Sequence, residues 1–118
     1  MNAAAVTVPP DPTEAQVVGF MLPFIERALK DRARYRYVQP RVVAEGEAFR
    51  IEAPCCSRNV DKAGGVIDIA LLRPMAGGTW QVYGRDHQLD AWVLRARGLS
   101  LGDALESVCI DADRSFWP

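Results

Sequence analysis

Cysteine and histidine are scarce in this chain of 118 residues. The three cysteines are Cys55, Cys56 and Cys109, and the one histidine is His87. An odd count with one adjacent pair does not make a disulfide framework, so we expect a reducing, cytoplasmic setting. Adjacent cysteines also converge on one ion less readily than a Cys-x-x-Cys pair. We therefore expect no cofactor, with a metal site built from these four residues as the alternative.

The chain also has little net charge and no long apolar run. Its formal net charge is -1, whereas non-specific binders of nucleic acid or anionic membranes usually carry a clear positive excess. No apolar run approaches the roughly 20 residues of a membrane-spanning helix, and the N-terminus lacks the segments of a secretion signal. Arginine outnumbers lysine and alanine is frequent, which suggests a bacterial source. We expect a cytoplasmic protein without membrane contact.

The length fits one domain with its own core. We divide the chain into a flexible arm over residues 1–10 and a single domain over residues 11–118. Apolar residues recur at helical spacing from Val17 to Leu29 and include Phe20 and Phe24, which predicts a first helix with one wide apolar face. Pro23 lies inside this pattern, so we expect a kink there or two shorter helices.

Between this helix and a second one, the sequence predicts four or five antiparallel strands. The first strand segment is RYRYV (34–38), which Pro40 interrupts before Val42–Val43. Phe49–Glu52 follows, with Phe49 and Ile51 on one face, and VIDIALL (66–72) is predicted as a central strand. The last two segments are TWQVYGR (79–85) and LDAWVLR (89–95). Ser100 is positioned to cap the last helix, with Asp103 three residues further on. Short turns favour a meander, so we predict a two-layer α+β domain whose sheet is covered by helices on one face and partly open on the other.

The aromatic residues cluster towards the end of the chain. Trp80 and Trp92 are predicted on neighbouring strands, where aromatic side chains pair across a sheet. The final pair, Phe116 and Trp117, is predicted to fold back onto the sheet and hold the C-terminus in place.

This C-terminal part resembles a bacterial family of small proteins known as domain of unknown function 3024. The elements that carry the resemblance are Trp80-Gln81-Val82-Tyr83-Gly84-Arg85-Asp86, Leu89-Asp90-Ala91-Trp92, Ile110-Asp111-Ala112-Asp113 and Phe116-Trp117. The resemblance extends over roughly residues 42–118, and the chain departs from the family in its Cys55–Cys56 loop and in ending at Pro118 where a glycine is expected. Because the family has no established activity, the resemblance implies a fold and assigns no catalytic residue.

Arginine and tyrosine alternate in the first strand segment, where Arg34, Tyr35, Arg36 and Tyr37 follow one another. Cations and stacking rings together suit single-stranded nucleic acid, whose binding would weaken steeply with salt. The neighbouring cations and carboxylates would, however, form ion pairs on a solvated sheet face. Those cations are Arg27, Lys30, Arg32, Arg41 and Arg50, and those carboxylates are Glu26, Asp31, Glu45, Glu47 and Glu52. We take the solvated face as the prediction and nucleic acid as an alternative.

A small enzyme is the other alternative, with Asp68, Asp86 and His87 as its acid–base residues. The plainer prediction places Asp86 and His87 in a polar hairpin turn. Asp68 interrupts an apolar strand, so it is expected either on the exposed face or paired with an arginine such as Arg50 or Arg85.

The sequence thus predicts a non-catalytic protein that binds a protein partner or forms a homodimer. The contact would be made by the sheet surface or an exposed strand edge. The residues expected there are Arg34, Arg36, Arg50, Arg85 and Trp92, with Tyr35 and Tyr37 joining them if the ligand is a nucleic acid.

Overall fold

The structure is a computed structural model that describes residues 12–32, 39–54 and 65–117, with side chains from Gly19 onward. Its elements are α1 (Pro12–Ala28), a 3-10 turn (Leu29–Asp31), β1 (Arg41–Glu45), β2 (Ala48–Pro54), β3 (Val66–Pro74), a 3-10 turn (Ala76–Gly78), β4 (Trp80–Asp86), β5 (Ala91–Leu99) and α2 (Leu101–Ile110). The predicted α+β fold is confirmed. The predicted arm (1–10), the RYRYV segment (34–38) and Cys55 and Cys56 lie outside the described residues.

The sheet is an antiparallel meander of five strands in the order β1-β2-β3-β4-β5, with the VIDIALL segment at its centre as predicted. The first hairpin turns at Gly46, whose φ of 61° suits glycine. Pro40 directly precedes β1, and Pro74 is the last residue of β3. Proline can stand at these strand ends because they lie outside the continuous ladder of backbone donors.

The last hairpin differs from the prediction because its turn is longer. The carboxylate of Asp86 accepts hydrogen bonds from the backbone N–H groups of Gln88 and Leu89, at 3.0 Å each. This arrangement holds residues 87–90 in a turn, where Asp90 adopts a φ of 54°. Strand β5 therefore begins at Ala91 rather than at Leu89.

One face of the sheet packs against the two helices and forms the core. Alternation places Phe49 and Ile51 in this core, as predicted, and the ring of Trp80 lies 6.2 Å from that of Phe49. The other fully buried large side chains of the core include Ile25, Leu29, Ile69, Leu72, Val82 and Val108. Helix and sheet thus bury one continuous apolar cluster.

Helix α1 departs from the prediction in two ways. It runs through Pro23 as one element, so the alternative of two shorter helices is wrong. Its buried side is also narrower than predicted, because Phe20 is 72% exposed and Phe24 lies on the same strip of the helix, four residues on. From Gly19 onward, where side chains are described, only Ile25 and Leu29 of the predicted face are fully buried. Neither of the two described helices has the length and apolar character needed to span a bilayer.

The chain after α2 returns to the core and is held there by Asp111. Ser100 caps the start of α2 by accepting the N–H of Asp103, as predicted, and Asp111 ends the helix in a left-handed conformation with a φ of 47°. Its carboxylate, 1% exposed, accepts the N–H groups of Phe116 (3.1 Å) and Trp117 (2.9 Å). The prediction that Phe116 and Trp117 fold back is confirmed.

Arg32 was predicted among the solvated arginines, and this prediction is wrong. The residue is 3% exposed, and its guanidinium group lies 5.1 Å from the centre of the Trp117 ring. One guanidinium nitrogen donates to the carbonyl of Leu29 at 2.7 Å. A cation stacked on an indole gains both quadrupole attraction and apolar cover for its stem. Arg32 therefore joins the end of the N-terminal helical segment to the end of the chain.

Gly84 provides the space for the returning tail. A Cβ atom at this position would lie 2.7 Å from the backbone carbonyl oxygen of Ser115, closer than two such atoms can approach. Because the obstacle is backbone, it cannot move aside as a flexible side chain would. The tail thus crosses the sheet at a strand position that has no side chain.

We expect the substitution Asp111→Asn to lower the free energy of unfolding by about 2–3 kcal/mol, because an amide accepts through one oxygen and turns a donor towards a buried N–H. Urea denaturation followed by tryptophan fluorescence measures the change. Asp31→Asn, at an exposed carboxylate, is the matched control and should leave the midpoint in place. Equal midpoints for the two variants would show that the tail does not depend on the carboxylate.

We expect Gly84→Ala to destabilise the protein by about 1–3 kcal/mol, because the added methyl group collides with the tail. Gly19→Ala is the control: its Cβ would meet nothing within 4 Å, and alanine in a helix is favoured over glycine by up to about 1 kcal/mol. Thermal unfolding of the two variants should therefore shift in opposite directions. A stable Gly84→Ala protein would contradict the close packing of the tail.

Candidate functional site

The sheet face opposite the helices, here called the open face, is crossed by a row of apolar side chains. In the register of the sheet, Val43 pairs with Arg50, Arg50 with Leu71, Leu71 with Tyr83, and Tyr83 with Leu94. We call Val43, Leu71, Tyr83 and Leu94 the apolar row. Leu94 is 43% exposed and the others are half-buried. The apolar row is continuous from Leu71 to Leu94, because adjacent strands lie only about 4.8 Å apart, and Arg50 separates Val43 from Leu71.

Arg50 stands in this row and gathers the carboxylates of three strands. Its guanidinium group lies 2.6 Å from Glu52, 2.9 Å from Asp68 and 3.2 Å from Glu45. The hydrogen bond to Glu52 is the main reason that the pKa of Arg50 is raised above its usual value. Asp68, which interrupts an apolar strand, is therefore paired with Arg50, one of the two outcomes predicted for it.

Arg85 forms a second centre of charge beside the first. Its guanidinium group lies 2.6 Å from the Asp90 carboxylate and 3.9 Å from that of Asp68. The same group lies 5.0 Å from the centre of the Trp92 ring, its cross-strand partner on β5. The two carboxylates and the ring fix the position of this arginine on the open face.

Trp80 and Trp92 were predicted on neighbouring strands where aromatic rings pair, and they do not pair with each other. Trp80 lies opposite Leu99 at one end of the β4–β5 ladder, whereas Trp92 lies opposite Arg85 near the other end. Trp80 packs on Phe49 in the core, and Trp92 lies on the open face. Each ring thus packs on a different face of the sheet.

Two of the three acid–base residues of the enzyme alternative, Asp68, Asp86 and His87, are already held by other groups. Asp86 is used by the turn that it caps, and Asp68 is held by Arg50. His87 is half-buried in that turn, and in the described part of the chain its Nε2 atom is buried without a hydrogen-bond partner. Burial, and secondarily the charge of Arg85, lowers the pKa of His87 below its usual value, so the ring is neutral at pH 7.

Of the four residues of the metal alternative, His87 and Cys109 lie among the described residues. Cys109 is buried on α2, and its thiol donates to the carbonyl oxygen of Ala28 at 3.4 Å. Burial raises the pKa of this thiol, which keeps it protonated. Across residues 12–32, 39–54 and 65–117, no group of three or more histidine, cysteine, aspartate or glutamate side chains could hold an ion.

The predicted binding residues fall into two groups. Arg50, Arg85 and Trp92 come together on the open face, whereas the Arg34–Tyr37 stretch lies outside the described residues. Sequence reasoning missed the apolar row. Leu71 was hidden in the continuous run VIDIALL, where a shift of register places Glu52 opposite Asp68 and Ile51 opposite Ala70. This shift leaves one extra residue on β3 and breaks simple alternation.

Comparison with known proteins gives one positive result. The sequence model of the family described as "Domain of unknown function (DUF3024)" matches residues 21–118. The chain therefore belongs to this family, and the match begins earlier than the residues 42–118 expected from the sequence. No curated protein and no solved structure gives a significant match to the chain.

The pKa of His87 generates a prediction for stability against pH. Because the pKa is lower in the folded state than the usual 6.5 of the unfolded chain, the unfolded state binds more protons below that pH. Stability from this group is fully present above pH 6.5 and is lost as the pH falls through the folded-state pKa.

We therefore expect the wild-type protein to lose stability relative to His87→Gln when the pH is lowered from 6.5 towards about 5. Urea midpoints of the two proteins across this range measure the effect. Since His87 is the only histidine, the difference between the two curves belongs to it alone. Parallel curves would contradict the lowered pKa.

Proposed function

We propose that this member of the DUF3024 family is a non-catalytic protein that binds a protein partner through the open face of its sheet. The observation that carries the proposal is the apolar row, which holds the paired charges of Arg50 within it and those of Arg85 beside it. We place the protein in the cytoplasm of a bacterium on the basis of its cysteine usage and its arginine- and alanine-rich composition.

The apolar row has the extent expected of an interface core. The row crosses five strands, and the four inter-strand spacings of about 4.8 Å give it a length of about 19 Å. Removing these side chains from water on binding would be favourable by about 25 cal/mol for each Å² of apolar area. A partner with a flat apolar surface, such as a second sheet, fits such a row because facing sheets pack through rows of side chains.

Arg85 and Trp92 add an anchor beside the row, next to Tyr83 and Leu94. Arginine and tryptophan are the residue types most often found at the energetic centres of interfaces. Here the guanidinium group already lies over the ring and against Asp90. Because this arrangement exists before binding, a partner would not have to order these side chains, and the entropic cost of association is reduced.

The charges of the open face favour a protein over a nucleic acid. Glu45, Glu52 and Asp68 all contact Arg50, and Asp90 contacts Arg85. Binding to a nucleic acid gains free energy when cations of the protein contact its phosphates and release the small counterions held there. Arginines already paired with carboxylates have less to gain from phosphate. The alternative of nucleic acid through Arg34, Tyr35, Arg36 and Tyr37 stays a hypothesis on residues outside those described.

The contacts of the acid–base residues also favour binding over catalysis. A general base must reach the proton that it abstracts, and Asp68 is held by an arginine while Asp86 is held by two backbone N–H groups. An enzyme built on these residues and His87 would have to break such contacts first.

We expect Tyr83→Arg to abolish partner binding, because it places a charge at an inner position of the apolar row. Leu89→Arg is the control: Leu89 is exposed and lies in the β4–β5 turn outside the apolar row. The measurement is affinity purification of each tagged variant from its native host, with and without nuclease, followed by mass spectrometry. The same proteins should be run on a sizing column to detect self-association.

A stoichiometric protein, or a dimer, that survives nuclease and is lost only in Tyr83→Arg would support the proposal. Partners that disappear with nuclease would replace it with nucleic-acid binding. Equal recovery from both variants would contradict the choice of the open face.

A further inference from the structure

A second surface, distinct from the open face, lies where β5 meets α2 and the C-terminal tail. It is a groove of about 580 Å³, and one wall is formed by β5 through Leu94, Ala96 and Leu99. The opposite wall is formed by α2 and the tail, with the exposed side chain of Ile110 at its rim. In the described part of the chain, β5 ends the sheet, so the groove follows an edge.

The carboxylates that line this groove differ from those of the open face. Asp103 and Glu106 project from successive turns of α2, and Asp113 projects from the tail. Among the described residues these three exposed carboxylates form no ion pair, whereas Glu45, Glu52, Asp68 and Asp90 on or beside the open face are all paired. The fourth carboxylate of the groove, Asp111, is buried and holds the tail.

The balance of charge in the groove is therefore negative. Three exposed carboxylates face one lining cation, Arg95, which leaves two negative charges in excess. A partner with positive charge would be attracted, and the apolar walls would reward aliphatic groups placed between its charges.

The edge itself limits the kind of partner. The register between β4 and β5 shifts on either side of Val82, and Gly98 has a φ of 73°. Such irregularities interrupt the row of backbone groups that a long added strand would need. This edge is therefore unsuited to continuous pairing with a second copy of the chain, and a ligand must be held mainly through its side chains.

We propose that this groove binds a short extended peptide segment in which basic and aliphatic side chains alternate. The aliphatic side chains lie between Leu94, Leu99 and Ile110, and the basic side chains reach Glu106, Asp103 and Asp113. The site is separate from the apolar row, except that Leu94 borders both. The inference goes beyond the proposed function because it assigns a different surface and a partner of defined charge.

The test uses fluorescein-labelled synthetic peptides of alternating lysine and valine, titrated with the full-length protein and read by fluorescence anisotropy. Peptides of alternating lysine and serine, and of alternating glutamate and valine, separate charge from apolar contact. We expect the lysine–valine peptide to bind, and both other peptides to bind at least about tenfold more weakly.

The double variant Glu106→Gln with Asp113→Asn should weaken binding of the lysine–valine peptide by about tenfold, since two exposed ion pairs are lost. The control Glu26→Gln with Glu47→Gln removes the same charge at exposed positions away from the groove. It should bind as the wild-type protein does. Equal weakening in the two double variants would show non-specific attraction and overturn the proposal.

Backbone amide chemical shifts locate the peptide independently of these variants. The expected changes lie in β5 beyond Leu94, in α2 and in the tail. Changes centred on Val43, Leu71 and Tyr83 would place the peptide on the open face, which would overturn the groove while leaving the proposed function standing. Binding of the lysine–serine peptide as tight as that of the lysine–valine peptide would also overturn it, because the apolar walls would then contribute nothing.

Discussion

The buried carboxylate of Asp111 accepts the backbone N–H groups of Phe116 and Trp117, and the arrangement of the two helices depends on this interaction. It turns the chain back after α2, so that the indole N–H of Trp117 reaches the carbonyl of Val108 at 3.0 Å. The same ring receives the guanidinium group of Arg32, at the end of the N-terminal helical segment. Sequence-distant helical segments are thus joined through the tail. A buried carboxylate with two backbone donors is stable only when both donors are in place, so the interaction fixes the tail in one position.

The two faces of the sheet use charge in opposite ways. On the helix side, Arg32 and Asp111 are almost fully buried, and their role is to position the tail. On the open face, Arg50 and Arg85 keep contact with water while they pair with carboxylates from neighbouring strands. Partly exposed pairs contribute little stability, so we interpret them as ordering the surface. They hold long side chains in fixed positions beside the apolar row.

Local patterns in the sequence predicted the parts of this fold that depend on local physics. The alternation of Phe49 and Ile51 and the cap at Ser100 needed only their neighbours, and both are confirmed. The burial of Arg32 could not be predicted in this way, because its partner Trp117 is far along the chain. The register of the strands could not be predicted from local patterns either. The shift beside Ile51 turns Leu71 outward, and the register beside Val82 places Trp80 and Trp92 opposite other residues. Of the candidate site, the sequence therefore predicted Arg50, Arg85 and Trp92, and it missed the apolar row.

The residues that carry the family resemblance fall into two sets, according to the face of the sheet on which they lie. Because side chains of a strand alternate between faces, Val82 and Gly84 serve the core and the tail, while Tyr83 and Arg85 stand on the open face. Trp80, Asp111 and Trp117 belong with the first set, and Trp92 belongs with the second. The first set is accounted for by packing and buried hydrogen bonds. Within residues 12–32, 39–54 and 65–117, no core contact accounts for the second set, whose members lie together on one surface. A surface that brings the apolar row and the Arg85–Trp92 pair together is where a function of this chain has its best physical basis.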